Sequence, residues 1–423
     1  MLRAGDALPL TIEKPAAGGR MIARVHGQIV LVTGAIPGER VLARIERLGK
    51  GVAYAQTIGI EEASADRRAV DGEPGCGGCL YAHIAYPRQI GIKSLVIADA
   101  FARIARLRLP AAVTVAASPE EGYRMRARLH VRSGGIGFFR EGTHEVCDAR
   151  RTRQLLPATV DALDRLGAAI RSHGRGTIRE IELAENVDAS ERVVHLDASA
   201  PLDARTMEVL ARTDGLTGLT SRSGTQGRPH VTDVIALDGH TAVSLRRHVL
   251  AFFQGNRFLL RDLAGHVGAQ VTGAAGVLDL YAGAGLFALT AAARGARVTA
   301  VEGDRVGAAD LAANCATTNG AVTPVHDAVE AFVGRVQRQR KRTDVPQTVI
   351  VDPPRAGMSR EALDGVLGLE SPRIVYVSCD VATLARDVRR MVDAGYAIDR
   401  VDGFDLFPNT PHVETVAVMS GPR

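Results

Sequence analysis

The strongest constraint on the fold is a series of short apolar, β-branched runs in the last third of the chain. Four of them end at or beside a polar residue and precede a helix-like segment, at residues 277–281, 296–302, 348–352 and 373–378. Runs of this length are typical of buried strands in a parallel sheet. Because strands and helices alternate, the sequence predicts a doubly wound, Rossmann-like α/β domain, closed by a last apolar run at 414–419.

The residues that end these runs are the first candidates for a functional site. Ligands of open α/β sheets bind just beyond the carboxyl ends of the strands. Cys379 follows one run directly, where a thiol can reach a substrate, although a free cysteine is more often a small buried hydrophobe. Asp352 ends another run and opens the rigid turn Asp352-Pro-Pro-Arg355. We therefore expect both residues at one edge of the sheet.

A glycine loop after the first run predicts a cofactor site. Gly283 and Gly285 let a ligand approach the backbone closely. The loop lacks the third glycine of a dinucleotide fingerprint, which argues against a bound pyrophosphate. The acids Asp279 and Glu302 suit a ribose and a cationic amino-acid tail, and S-adenosylmethionine has both. Asp327 is then placed to receive the adenine edge.

The N-terminal part of the chain has a different pattern. Residues 8–60 form short segments separated by glycines, which predicts a small β-barrel of the OB type over residues 1–66. The net charge of the chain is +5. A solvated surface and a phosphate-contacting face are equally good interpretations of the basic residues on this barrel. They are Arg20, Arg24, Arg40, Arg44, Arg47 and Lys50.

Residues 67–245 are predicted to form a central α+β domain, followed by the α/β domain at 246–423. Arginines alternate with apolar residues along Tyr123–Arg132, so they should line one face of a strand, either as a solvated face or as an RNA-facing stripe. Two glycine-rich stretches, Gly215–Thr220 and Gly224–Gly227, are predicted as loops. A basic stretch within the α/β domain, residues 335–342, is predicted to be an exposed loop.

The central domain also contains the motif Cys76-Gly-Gly-Cys79. Two thiolates at this spacing can reach one metal ion, but a single CxxC is only half a site. Cys147, His83 and His144 are the candidates to complete it, and a reduced, metal-free loop is the alternative.

Taken together, these motifs resemble the RNA uracil-5-methyltransferase family, specifically the TRAM-bearing type that includes bacterial ribosomal-RNA enzymes. The N-terminal segment is similar to a TRAM domain, a small RNA-binding barrel, through Gly18-Gly19 and Gly34–Glu39. The matching motifs elsewhere are Phe252–Asn256, Asp279–Gly285, Val301-Glu302, Asp352–Gly357, Tyr376–Asp387 and Asp405–Glu414.

The resemblance implies a role for individual residues. Cys379 matches the family's covalent nucleophile, Glu414 its general base, and Asp352 a residue that holds the substrate base and the cofactor region. Gln254, Tyr281 and Glu302 match cofactor contacts. With Gly283, Gly285 and Asp327, which the residue pattern suggested, and with Asp352, they make up the expected S-adenosylmethionine site.

The resemblance also raises the question of a metal site. The family's iron–sulfur cluster uses four cysteines, of which Cys76 and Cys79 match two. The other two positions fall near Val70 and Thr152, with Cys147 close to the latter. We therefore expect no stable cluster; a three-cysteine cluster and a zinc site are the alternatives.

Three other functions compete with this interpretation. An RNA cytosine-5 methyltransferase would carry a second cysteine where Arg355 stands, and a non-catalytic RNA-binding protein would be expected to lose Cys379 or Glu414. A small-molecule methyltransferase would not need the barrel. We expect a cytoplasmic monomer with no membrane partner. By resemblance, its RNA would be 23S ribosomal RNA, with transfer RNA as the alternative.

Overall fold

The computed structural model describes residues 2–70, 72–73, 75–132, 135–173, 176–238, 241–271, 276–339 and 345–422. The N-terminal strands are β1 (Ala7–Thr11), β2 (Lys14–Pro15), β3 (Met21–Val25), β4 (Gln28–Thr33), β5 (Arg40–Gly49) and β6 (Val52–Glu62). They form one sheet in the order β1-β5-β6-β4-β3-β2. The chain closes this sheet, because Ile12 donates its backbone N–H to Glu39 and Glu13 donates to Ile22. The predicted barrel is confirmed.

The second part is a seven-stranded sheet in the order β10-β9-β8-β11-β12-β13-β14. It follows α1 (Tyr86–Ala100), a π-helical turn (Phe101–Ala105) and β7 (Thr114–Ala116). Its strands are β8 (Arg126–Arg132), β9 (Gly135–Phe139), β10 (Val146–Asp148), β11 (Ile178–Glu185), β12 (Arg192–Ala198), β13 (Gly218–Ser221) and β14 (Gly224–Gly227). The helices α2 (Ala149–Thr152), α3 (Pro157–His173) and α4 (Ala204–Ala211) belong to the same domain.

The prediction that the two glycine-rich stretches are loops is wrong, because they contain β13 and β14. Gly218 shows the physical reason. A Cβ atom at this position would lie 1.7 Å from the backbone oxygen of Arg228, so the glycine permits a close approach of two chain segments. Glycine here serves strand packing and does not mark a flexible turn.

A hairpin of β15 (His230–Asp238) and β16 (Thr241–His248) leads into the C-terminal sheet. That sheet has the order β19-β18-β17-β20-β21-β23-β22-β7. Its strands are β17 (Gly276–Leu280), β18 (Arg297–Glu302), β19 (Val322–His326), β20 (Thr348–Val351), β21 (Arg373–Ser378), β22 (Ala397–Phe404) and β23 (Glu414–Ser420). Its helices are α5 (Leu260–Gly268), α6 (Leu286–Ala293), α7 (Arg305–Cys315), α8 (Val329–Gln339), α9 (Arg360–Leu367) and α10 (Val381–Asp393).

Every neighbouring pair in this sheet is parallel except the two that include β23. The sheet is covered on both faces, which explains its continuous apolar runs. In β21, Val375 and Val377 pack in the core that contains Phe287, whereas Ile374 and Tyr376 pack in the core on the other face. The Rossmann-like fold is therefore confirmed.

The C-terminal sheet also uses residues from before the central domain. β7 pairs in parallel with β22, and α1 packs against β7, β22 and α10. The predicted boundaries near residues 66 and 245 stay predictions. The predicted basic loop is wrong for Arg335 and Arg338, which lie in α8, while residues 340–344 lie outside the described residues. No helix in the described ranges is long and apolar enough to cross a membrane.

Candidate active site

The glycine loop between β17 and α6 is shaped by one carboxylate. Glu302, at the end of β18, accepts hydrogen bonds from the backbone N–H of Gly283 at 2.7 Å and of Asp304 at 2.6 Å. A Cβ atom at Gly283 would meet nothing nearer than the Phe252 oxygen at 3.9 Å, so the space beside this glycine is open. A Cβ at Gly285 would instead collide with two leucine side chains. The first glycine thus leaves room for a ligand, and the second serves packing.

Four acidic residues lie at this edge of the C-terminal sheet: Asp279, Glu302, Asp352 and Glu414. Asp279 is completely buried in β17, and neither of its carboxylate oxygens has a hydrogen-bond partner among the described residues. Burial and the neighbouring Asp352 raise the pKa of Asp279 well above its usual range. A buried, uncompensated carboxylate is costly unless a cation approaches it. The cluster therefore fits a cofactor that carries a sulfonium and an ammonium group.

The predicted cofactor contact Gln254 lies beside Asp352. Its side-chain amide donates a hydrogen bond to the Asp352 carboxylate at 3.2 Å. Burial raises the pKa of Asp352 to about 7, although this hydrogen bond opposes the shift. The structure thus brings together two residues that are 98 positions apart in the chain.

The other predicted cofactor residues lie at the same sheet edge. Tyr281 directly follows β17, is half-buried, and has a left-handed backbone conformation with φ of +61°. Asp327 directly follows β19 and forms an ion pair with Arg335 of α8 at 2.7 Å. A ligand that uses the Asp327 carboxylate would have to share it with this guanidinium.

The strand register brings Cys379 and Glu414 together. β21 and β23 are antiparallel, with Ser378 opposite Thr415, so the next residues along each strand are Cys379 and Glu414. Cys379 is half-exposed, and Glu414 is buried. Burial, together with the nearby Glu414 carboxylate, raises the pKa of the Cys379 thiol to about 11, while Arg355 lowers it. Burial and Asp352 raise the pKa of Glu414.

A residue that sequence reasoning did not assign holds two parts of this site in place. The buried carboxylate of Asp387, on α10, accepts hydrogen bonds from the Tyr376 hydroxyl at 2.7 Å and from the Met358 N–H at 3.1 Å. Tyr376 lies three residues before Cys379 on β21, and Met358 ends the turn that begins at Asp352. An acid on the apolar side of a helix was the available sequence signal.

The three cysteines of the N-terminal part form a cluster far from this edge in sequence. The sulfur atoms of Cys76 and Cys147 are 2.7 Å apart, and both residues are buried. Hydrogen bonds from Cys147 and Cys79 lower the pKa of the Cys76 thiol. Thr152 donates its hydroxyl to a helix carbonyl. Within the described ranges the cluster offers three sulfur ligands, which does not fit a four-thiolate cage.

The two histidine candidates do not complete the cluster. His83 points its Nε2 atom at the Ala35 oxygen of the barrel, 3.3 Å away, and His144 is exposed with its ring against Phe139. No group of three or more metal-binding side chains with suitable geometry occurs in the part of the chain that the structure describes. The expectation of no stable iron–sulfur cluster stays a prediction.

Comparison with known proteins gives two family matches. The model of the tRNA (Uracil-5-)-methyltransferases matches residues 226–421, and that of the TRAM domain matches residues 3–58. The 23S rRNA (uracil(1939)-C(5))-methyltransferase RlmD of Halomonas elongata is 33% identical over 98% of this chain and 89% of its own. An uncharacterized RNA methyltransferase of Halalkalibacterium halodurans is 28% identical over 98% of this chain and 97% of its own.

A solved structure supports the same fold. The Pyrococcus abyssi tRNA (uracil-54, C5)-methyltransferase, in complex with S-adenosyl-L-homocysteine, has a TM-score of 0.75 and 24% identity. The similarity covers 97% of this chain and 99% of that one. With the identity to RlmD, these matches confirm the resemblance seen in the sequence. The chain belongs to the family of S-adenosylmethionine-dependent RNA uracil-5-methyltransferases that carry an N-terminal TRAM domain.

Proposed function

We propose that this protein methylates carbon 5 of one uridine in 23S ribosomal RNA. The observation that carries the proposal is the placement of Cys379 next to Glu414 across the β21–β23 pair, beside the buried carboxyl groups of Asp279 and Asp352. RlmD, which matches nearly the full chain, acts on 23S ribosomal RNA, which favours this target. Transfer RNA is the alternative, because the Pyrococcus abyssi enzyme acts on it.

In the proposed reaction Cys379 is the nucleophile. Carbon 5 of uracil is weakly nucleophilic, and addition of the Cys379 thiolate to carbon 6 turns the ring into an enolate. S-adenosylmethionine, when bound, would supply the methyl group for carbon 5 as an electrophile and would leave as S-adenosylhomocysteine. A thiolate suits this cycle because it adds readily and leaves readily. Arg355 favours the thiolate because it lowers the pKa of Cys379.

Glu414 has the second role, as the base that removes the carbon-5 proton after methylation. Loss of this proton restores the aromatic ring as the Cys379 sulfur leaves carbon 6. A buried carboxylate with a raised pKa binds a proton more tightly than an exposed carboxylate does, which makes Glu414 a better proton acceptor. Asp352, held by Gln254, contacts the substrate base in this proposal.

The target base must leave its stack in the RNA before it can reach this site. A nucleophile at a sheet edge reaches carbon 6 only of an extruded base, which an unpaired loop permits most cheaply. In this proposal, exposed basic residues of the barrel supply RNA contacts outside the site. We place the enzyme in the cytoplasm, acting as a monomer.

The test is to map 5-methyluridine by mass spectrometry in ribosomal and transfer RNA from a strain that lacks the gene. We expect one site to lose its methyl group in 23S ribosomal RNA, and purified protein to restore it on the unmodified transcript. The Cys379→Ala protein is the control and should restore nothing. Loss from transfer RNA alone would favour the alternative target. An unchanged methylation map, together with an inactive wild-type protein, would contradict the proposal.

A further inference from the structure

The loop between β22 and β23, residues 405–413, carries Glu414 at its end and is held by buried polar side chains from α1. Lys93 is 1% exposed, and its ammonium group lies 2.5 Å from the carboxylate of Asp405, the first residue of the loop. The same ammonium donates to the Phe407 oxygen at 3.1 Å. A single lysine thus holds two points at the start of this loop.

Gln89 holds the middle of the same loop. Its side-chain oxygen accepts the backbone N–H of Asn409 at 2.9 Å, and its amide donates to the Asn409 side-chain oxygen at 2.9 Å. Gln89 is completely buried, and it lies four residues before Lys93 on the same side of α1. Asn409 has a left-handed backbone with φ of +63°, which costs energy unless its surroundings fix it.

Stability alone is a weak reason for such an arrangement. Burying an ion pair removes both charges from water, and apolar replacements of similar volume are often equally stable. What the Lys93–Asp405 pair does provide is one fixed geometry for the segment that ends at Glu414. The general base must lie within hydrogen-bond reach of the proton that it removes, so a displaced loop would affect that step above all.

We propose that Gln89 and Lys93 are positioning residues that hold the 405–413 loop so that Glu414 can remove the carbon-5 proton. This inference rests on the proposed function. The two halves of the cycle, attack by Cys379 and release of the methylated base, then depend on different parts of the structure. Attack by Cys379 depends on β21 and on the Asp352 turn, whereas release depends on the loop that α1 holds.

The experiment uses the full-length protein and the variants Lys93→Met and Gln89→Met, with 23S ribosomal and transfer RNA transcripts. Transcripts with 5-fluorouridine report attack and methylation, because fluorine cannot leave as a proton and the covalent complex is trapped. Ordinary transcripts report the complete cycle. The matched control is Asp99→Asn, which removes two other ion pairs of α1, with Lys14 at 2.7 Å and with Arg103 at 2.9 Å, neither of which includes a loop residue.

We expect both methionine variants to lower kcat on ordinary RNA by about tenfold or more and to lower KM in parallel, so that kcat/KM stays within about twofold, because a step after methyl transfer becomes rate-limiting. Trapping of 5-fluorouridine RNA should keep its wild-type rate, and a methylated covalent complex should accumulate on ordinary RNA. Asp99→Asn should match the wild type. Because Lys93→Met leaves Asp405 without its partner, Gln89→Met decides the matter if the lysine variant does not fold.

Two results would overturn the inference: trapping that slows in parallel with turnover, or an unchanged kcat in Gln89→Met. A wild-type protein that neither traps 5-fluorouridine RNA nor forms 5-methyluridine on either transcript would instead contradict the proposed function itself. The two failures are therefore distinguishable in one set of assays.

Discussion

The C-terminal sheet edge and the N-terminal domains differ in whether their charged side chains form ion pairs. At the sheet edge, Asp279, Glu302, Asp352 and Glu414 form no ion pair with any described residue. In the barrel and central domain, many arginines are paired with acids. These pairs are Arg20–Glu46, Arg24–Glu13, Arg40–Glu61, Arg126–Glu182 and Arg128–Glu180. Unpaired charge thus marks the place where a ligand supplies the counter-charge, and paired charge marks a surface that is already balanced.

The predicted RNA-facing stripe on β8 belongs to the region where arginines are paired with acids. The alternation itself is confirmed, because Met125, Ala127 and Leu129 are buried. However, Arg128 also lies 3.7 Å from Glu182 of the neighbouring strand, so two acids offset much of the positive charge. An RNA phosphate at this stripe would have to compete with these carboxylates.

The largest expected effect compares a cysteine from each region. Cys379→Ala should abolish trapping of 5-fluorouridine RNA and lower turnover by roughly 10⁴-fold or more, because alanine has no group that can add to carbon 6. Cys147→Ala, in the buried N-terminal cluster, should still trap the RNA if the variant folds. Gel electrophoresis under denaturing conditions measures both. Trapping by Cys379→Ala at the wild-type level would show that the nucleophile is a different residue.

The next effect concerns the second half of the cycle. Glu414→Gln should lower kcat by about 10²-fold or more, because an amide cannot accept the carbon-5 proton. Methylated RNA should stay attached to Cys379, and mass spectrometry of the complex would detect it. Glu182→Gln, which changes an ion-paired acid of the central domain, is the control and should turn over normally. Unchanged turnover in Glu414→Gln would remove this residue from the mechanism.

The sequence predicted the sheet edge well because strand ends follow from a local pattern. Cys379, Asp352 and Glu302 each directly follow or end an apolar run, so their meeting could be inferred without coordinates. The residues that hold the site in place could not be inferred in this way. Lys93 and Asp405 are 312 positions apart, and nothing in either local segment indicates the other.

The paired arginines show the same limit. Arg24 and Arg44 both look like exposed basic residues of a barrel strand. Only the fold reveals that Glu13 lies against Arg24, whereas Arg44 has no acidic partner within the described ranges. Pairing across strands depends on register, which the sequence of a single strand does not determine.

The reactivity of the Cys379 thiol should depend on pH and on its two charged neighbours. The Cys379 thiol has a pKa raised to about 11, so it is protonated at neutral pH, and its alkylation should speed up as the pH rises. Glu414→Gln removes a negative neighbour, so it should lower this pKa and increase the alkylation rate between about pH 8 and pH 10 by severalfold. Arg355→Gln removes a positive neighbour and should decrease the rate. Peptide mass spectrometry after iodoacetamide treatment measures each; shifts in the same direction would contradict the arrangement.

A smaller effect is expected in the barrel, where the comparison can be made within one sheet. Arg44 and Lys50 are exposed and, among the described residues, form no ion pair, so they are the better phosphate contacts. Changing either to glutamine should reduce the salt slope of RNA binding by roughly one. Arg24→Gln and Arg40→Gln should leave the slope nearly unchanged, because Glu13 and Glu61 already neutralise them. Fluorescence anisotropy over a salt series measures this, and equal slopes for both groups would refute the distinction.

The smallest effect is expected from metal removal. A cubane cluster takes four thiolates, and among the described residues the structure brings together three cysteines, Cys76, Cys79 and Cys147, with the sulfur atoms of Cys76 and Cys147 2.7 Å apart. Protein purified without oxygen should therefore contain well under one equivalent of iron and sulfide, and chelation should leave methylation unchanged. About one zinc per chain would instead identify a three-thiolate site. A brown protein with near-stoichiometric iron and sulfide, both lost in Cys76→Ser, would show that these cysteines rearrange around a cluster. The balanced N-terminal region would then hold a ligand site of its own.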